Sequence, residues 1–160
     1  MKRILFAMTM LVATLSMTAQ EYIRYHGEGS TAVFCAYQFD NRNYIVLSFK
    51  DDDEHRLTNN PVLKLLLNDG TVIKLSGTDD SQKTRQDMIH WGFGIISGSS
   101  SEKHYAMFYI TPEEIEELQV GVKKIAINTI PEVYKRSLKT DKLGKHLYDD
   151  FQKKKGDFDE

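Results

Sequence analysis

The chain of 160 residues has one cysteine, three prolines and one tryptophan. A single thiol cannot form a disulfide within the chain, so the fold has to stand on a hydrophobic core. A lipid anchor at a processing site would need a cysteine there, and the one cysteine, Cys35, lies well inside the sequence. Past Met17 no apolar run approaches the ~20 residues that cross a bilayer core. An excess of positive charge is missing too, with 21 Lys and Arg against 23 Asp and Glu. That balance gives no reason to expect nucleic acid or an anionic membrane as partner. There is no internal repeat and no proline-rich linker, and the length suits one domain.

What is present begins at the N-terminus. Lys2 and Arg3 form a positive segment, the run from Ile4 to Met17 is apolar, and the small residue Ala19 precedes Gln20. These are the three parts of a cleavable secretory signal, with cleavage expected after Ala19. A retained membrane helix is the rival reading. The apolar run is short for it and contains Thr9, Thr14 and Ser16, and Glu21 follows without a basic cluster to stop transfer. The expected organisation is a signal peptide over 1–19, one α+β domain over 20–155 and a frayed tail over 156–160, in a periplasmic or secreted product with no membrane insertion after cleavage. Losing Lys2 and Arg3 leaves 19 of the 21 basic residues against 23 acids, a net charge near −4.

From Tyr22 to Ile130 short runs rich in Val, Ile, Tyr and Phe are broken by Gly, Asn, Asp and Ser, which predicts strands. They fall at Glu21 to His26, Ala32 to Phe39, Tyr44 to Phe49, Val62 to Leu67, Thr71 to Leu75, Met88 to Ile96 and His104 to Ile110, with Val122 to Thr129 as an eighth. Ala32 to Phe39 is apolar on both faces, as a central strand would be. Around Asn68-Asp69-Gly70, a three-residue loop with Gly70 left-handed pairs Leu65 with Ile73, Leu63 with Leu75 and Lys64 with Lys74. That register gathers Leu63, Leu65, Leu67, Ile73 and Leu75 on one buried face. Thr111-Pro112-Glu113-Glu114 is a helix start: Thr111 caps, proline suits the first helical position and Glu114 completes a capping box. Gly121 ends that short helix, and Pro131 breaks the strand that follows. A second helix, Asp141 to Lys154, carries Leu143, Leu147 and Phe151 as one apolar stripe at spacing four. The fold class is therefore α+β, a mainly antiparallel sheet able to fold over into a sandwich, with one short helix and one C-terminal helix.

Chemistry is sparse. Cys35 sits in Val33-Phe34-Cys35-Ala36-Tyr37, where a thiol acts as a small hydrophobe, and no signature of a cysteine hydrolase surrounds it. The five histidines, His26, His55, His90, His104 and His146, lack metal-ligand spacing, and no second cysteine exists to share a zinc; no metal or other cofactor is expected. Asp51-Asp52-Asp53-Glu54 lacks the alternation and glycine of a calcium loop and reads, like Asp79-Asp80, as a solvated turn. Ser97 to Ser101 has no phosphate-loop lysine and reads as a connector. His90 and His104 flank that connector, so the candidate catalytic set is His90 and His104 with the carboxylates Asp87 and Glu102. Ile89, Trp91, Phe93 and Ile95 alternate with His90, Gly92 and Gly94, leaving a bare strand face. Trp91, Gly92, Gly94 and Tyr105 are accordingly the candidate binding residues. The basic residues from Lys135 to Lys155 read as the wet face of the last helix.

Tyr109-Ile110-Thr111-Pro112-Glu113-Glu114-Ile115, Gly121-Val122-Lys123-Lys124-Ile125 and Lys142-Leu143-Gly144-Lys145 occur within His104 to Gln152. This third of the chain resembles small exported proteins of unknown function from Gram-negative bacteria. The shared features are structural, so the resemblance implies a compact exported domain and carries over no active site.

Two functions are expected in order. The first is a non-catalytic exported module that binds a protein, peptide or glycan through its sheet or loops, for which Tyr22, Tyr25, Tyr37, Tyr44, Tyr105 and Tyr109 are suitable contact residues. The second is a small hydrolase built on the histidine and carboxylate set. The first is preferred because no nucleophile, base and orienting group assemble at a recognisable spacing.

Overall fold

The structure, a computed structural model, describes residues 23–26, 30–51, 55–78 and 104–156. In chain order these form β1 (Ile23–His26), β2 (Ser30–Phe39), β3 (Arg42–Asp51), β4 (Arg56–Leu57), β5 (Val62–Leu67), β6 (Val72–Thr78) and β7 (His104–Ile110). Then come α1 (Pro112–Glu117), a 3-10 turn (Leu118–Val120), β8 (Val122–Ile127), β9 (Thr129–Ile130), β10 (Tyr134–Ser137) and α2 (Leu143–Gly156). Eight strands make one antiparallel sheet in the order β1-β2-β3-β7-β6-β5-β8-β10, and β4 pairs with β9 alone. The architecture is α+β as the sequence implies, with the sheet curled about its main hydrophobic core. The expected strand Met88 to Ile96 lies outside the described residues.

The β5–β6 hairpin takes the register that burial demanded. Leu63 faces Leu75, Lys64 faces Lys74 and Leu65 faces Ile73, with Gly70 at φ 97. A one-residue slip would have turned the leucines to water. Between β2 and β3, Asp40 and Asn41 both have positive φ, 50 and 58, the demand of a two-residue type I′ turn, which short polar side chains tolerate. Thr111 caps α1 as expected: its hydroxyl accepts the Glu114 N–H at 3.2 Å and the Glu114 carboxylate accepts the Thr111 N–H at 2.9 Å.

Beyond Pro131, which follows a cis peptide bond, the chain does not stay irregular. Tyr134 to Ser137 pairs with β8, so Lys135 and Arg136 belong to an edge strand and not to the wet face of the last helix. Alternation places Tyr134 and Arg136 inward and Lys135 and Ser137 outward, a pattern that four residues among many lysines did not reveal.

The inner face of the sheet is the core side. Ala32, Phe34 and Ala36 of β2, Ile45, Leu47 and Phe49 of β3, Ala106, Phe108 and Ile110 of β7, and Leu63, Leu65 and Leu67 of β5 are all buried there. Helix α2 packs on β2 with Leu143, Leu147 and Phe151 buried, as its stripe predicts. Gly144 lets it approach the 3-10 turn, where a Cβ would meet the Leu118 carbonyl oxygen.

Candidate functional site

Alternation along β2 sends Ala32, Phe34 and Ala36 inward and therefore Val33, Cys35, Tyr37 and Phe39 outward. The ladders extend this outer face across β3 and β7: Cys35 faces Val46, which faces Met107, and Tyr37 faces Tyr44, which faces Tyr109. Towards the middle of these strands the outer face is dry, with Cys35, Val46 and Tyr105 buried and Tyr37 and Met107 packed against them. Towards the Asp40-Asn41 turn it opens. Tyr37 and Tyr44 are half-buried, while Tyr109 and Phe39 are about half exposed, at 48% and 49%.

The result is three tyrosines in one row perpendicular to the strands, with Phe39 beside its end. Adjacent strands lie about 4.8 Å apart, so such a row sets successive rings side by side on one surface. Tyr44 and Tyr109 pack edge to face, with ring centres 6.0 Å apart and planes at 69°. The aromatic bodies offer apolar contact area at little cost in side-chain entropy, and the hydroxyls offer donors and acceptors.

Of the residues singled out from the sequence, Asp87, His90, Trp91, Gly92, Gly94 and Glu102 lie outside the described residues. His104 and Tyr105 are neighbours on β7 and so point to opposite faces. His104 faces inward at the strand start, opposite Phe49, and is half-buried; Tyr105 is buried on the outer face with Cys35 and Val46.

Two histidine and carboxylate pairs appear that sequence reasoning did not assemble. His146 Nε2 lies 3.5 Å from Asp150 Oδ2, four residues along α2, with Lys153 at 3.8 Å from the other carboxylate oxygen. His55 Nε2 lies 4.0 Å from Glu132. The first was legible in principle, since residues i and i+4 share a helix face; the second joins the residue just before β4 to the bend after β9 and needed the fold. Cys35 lies on the outer face, whereas α2 and its histidine pack on the inner one, so the sheet stands between them. Among the described residues no group of three or more His, Cys, Asp and Glu is placed to hold a metal ion, and no helix is long and apolar enough to cross a membrane.

Comparison with known proteins finds no matching family model, no matching curated protein and no matching solved structure.

Proposed function

We propose that this chain is an exported, non-catalytic binding module, periplasmic or secreted, that meets its ligand with the outer face of the sheet around Tyr37, Tyr44 and Tyr109. The observation that carries the reading is the alignment of these tyrosines in one cross-strand row, with Tyr109 exposed at one end and Phe39 exposed beside the other. An exposed aromatic group held on paired strands favours recognition because its rings are already fixed before a ligand arrives. Export rests on the N-terminal pattern of Lys2, Arg3, the apolar run and Ala19.

Amide NMR titration of the processed protein with neutral oligosaccharides, maltohexaose and chitohexaose, and with an oligogalacturonate tests the surface. Shift changes gathered at Tyr37, Phe39, Tyr44 and Tyr109 with at least one of them, and lost in Tyr44→Ser and Tyr109→Ser, are expected. Binding that leaves those amides unmoved, or no binding at all, overturns the assignment of these tyrosines. Export is tested separately: expression of the full chain in a Gram-negative host should yield a soluble product starting at or near Gln20, and uncleaved protein in the membrane fraction would refute it.

A further inference from the structure

The same outer face continues across β6, β5, β8 and β10, and there its chemistry changes. Lys74 faces Lys64, Lys64 faces Ala126, and Ala126 faces Lys135, in one row across four strands. Lys124, two residues before Ala126, faces Leu66 on one side and Ser137 on the other, so it stands one step beside the row. The alternating partners Ile73, Leu75, Leu63, Leu65, Ile125 and Ile127 are all in the core, so these lysines share the outward side. Lys64, Lys74 and Lys135 are exposed and Lys124 is half-buried.

Like charges directly opposite on a sheet destabilise it, and a sheet stabilised for its own sake would place a carboxylate or a threonine at one of positions 64 and 74. Among the described residues, no ion pair joins any of the four lysines to a carboxylate. Between and beside them lie Ala126, Ser76, Ser137 and the apolar side chains of Val62, Leu66 and Val72. A chain with more acidic than basic residues thus concentrates cations on one wall.

We infer that this wall binds an acidic polysaccharide, its carboxylate or sulfate groups set against the row Lys74, Lys64 and Lys135 with Lys124 beside it. The inference rests on the reading of the outer face as a binding surface and specifies the ligand class. Three features favour a linear polyanion. The cations lie along a line of about 14 Å, three strand spacings, which suits successive charges of one chain. The wall is the outside of a curled sheet, so a flat bilayer would touch it only along a strip, while a polymer can follow the curve. Among the described residues it carries no aromatic ring to stack on a base and no arginine to fork around a phosphate, the usual furniture of single-stranded nucleic-acid sites. Lysine ammonium groups act as point charges and suit carboxylate or sulfate without demanding a fixed fork geometry.

The test measures binding of an oligogalacturonate to the processed protein by calorimetry, with Lys64, Lys74, Lys124 and Lys135 amides followed by NMR. Expected are binding at about 50 mM salt that weakens steeply towards about 200 mM, and shifts centred on those four positions. Lys64→Glu with Lys135→Glu should weaken binding about tenfold or more, while Lys145→Glu on α2 leaves it unchanged; a Lys64→Gln, Lys135→Gln pair guards against misfolding of the charge-reversed form. No binding, an equal loss in Lys145→Glu, or tighter binding to phosphatidylglycerol vesicles or to oligothymidylate overturns the inference. The two readings fail separately. Neutral sugars that move Tyr44 and Tyr109 while the uronate leaves the lysines unmoved refute this inference alone. A uronate that moves the lysines in Tyr44→Ser and Tyr109→Ser as in the parent, while neither it nor the neutral sugars shift the tyrosines, refutes the aromatic site alone.

Discussion

The Arg136 guanidinium lies 5.7 Å over the Tyr25 ring, although the two residues belong to β1 and β10, the opposite edges of an eight-strand sheet. Phe49 and Tyr134 meet in the same way, with ring centres 5.1 Å apart, bringing β3 against β10. These inner-face contacts show how far the sheet curls. The accumulated twist carries the edges towards each other, and an arginine over an aromatic face is attracted to it by about 0.5–2 kcal/mol depending on how dry the site is. The curl turns the tyrosine and lysine rows onto one continuous outside wall.

The Tyr25 hydroxyl is buried with no hydrogen-bond partner among the described residues. Burial, with the nearby negative charge of Asp141, pushes its pKa up from 10.0 to about 12 against the opposing effect of Arg136. The folded state therefore holds the proton more tightly than the unfolded chain. The contribution is fully present below pH 10.0 and is lost as pH rises from 10.0 towards about 12, because the unfolded chain ionises first. Tyr25→Phe should remove that share of the alkaline loss and leave stability at neutral pH equal or higher, since the ring under Arg136 remains and an unsatisfied buried hydroxyl goes. Denaturation of both proteins between neutral pH and pH 12 checks it; parallel curves would show that Tyr25 does not titrate as described.

The approach of α2 to the turn after α1 depends on residues 141 and 144. Asp141 Oδ1 accepts the Val122 N–H at 2.7 Å, and a Cβ on Gly144 would fall 2.6 Å from the Leu118 carbonyl oxygen. Gly144→Ala sets two effects against each other: alanine is better in a helix by about 1 kcal/mol, but the new methyl meets backbone that cannot rotate away. The clash should win, lowering the unfolding midpoint. A raised midpoint would mean that the helix shifts freely at this contact.

Asp141→Ala leaves the part-buried Val122 N–H without its acceptor. The expected cost is about 1–3 kcal/mol, with faster hydrogen exchange at Val122. Unchanged exchange there would count against the bond.

Leu147 is fully enclosed and Phe151 nearly so, at 0% and 5% exposure. Leu147→Ala should cost about 2–5 kcal/mol and Phe151→Ala about 3–5 kcal/mol in chemical denaturation. If either leaves the midpoint in place, α2 is not docked on β2 as described.

Cys35 is buried on the outer face beside Val46 and Tyr105. A thiol reagent should label it slowly in the folded protein and quickly once the chain is denatured. Cys35→Ala should leave ligand binding intact. Rapid labelling of native protein would show this part of the outer face to be open.

Much of the core was determined by the sequence alone, because a local period is enough to assign a side chain to a face. The leucines of β5, the stripe of α2 and the capping box at Thr111 each involve residues within a few positions, where strand or helix geometry dictates who is a neighbour. The hairpin register followed as well, since only one pairing buried Leu63, Leu65 and Ile73 together, and with it came the opposition of Lys64 and Lys74. The tertiary structure alone decided the rest. That β7 lies beside β3, that β5 lies between β6 and β8, and that Tyr134 to Ser137 adds an edge strand depends on pairings between distant segments, which no local pattern encodes. Each tyrosine of the outer row and each lysine of the outer wall was visible singly. Their alignment required strand order and register, because side chains on separate strands become neighbours only when backbone hydrogen bonds set one residue opposite another.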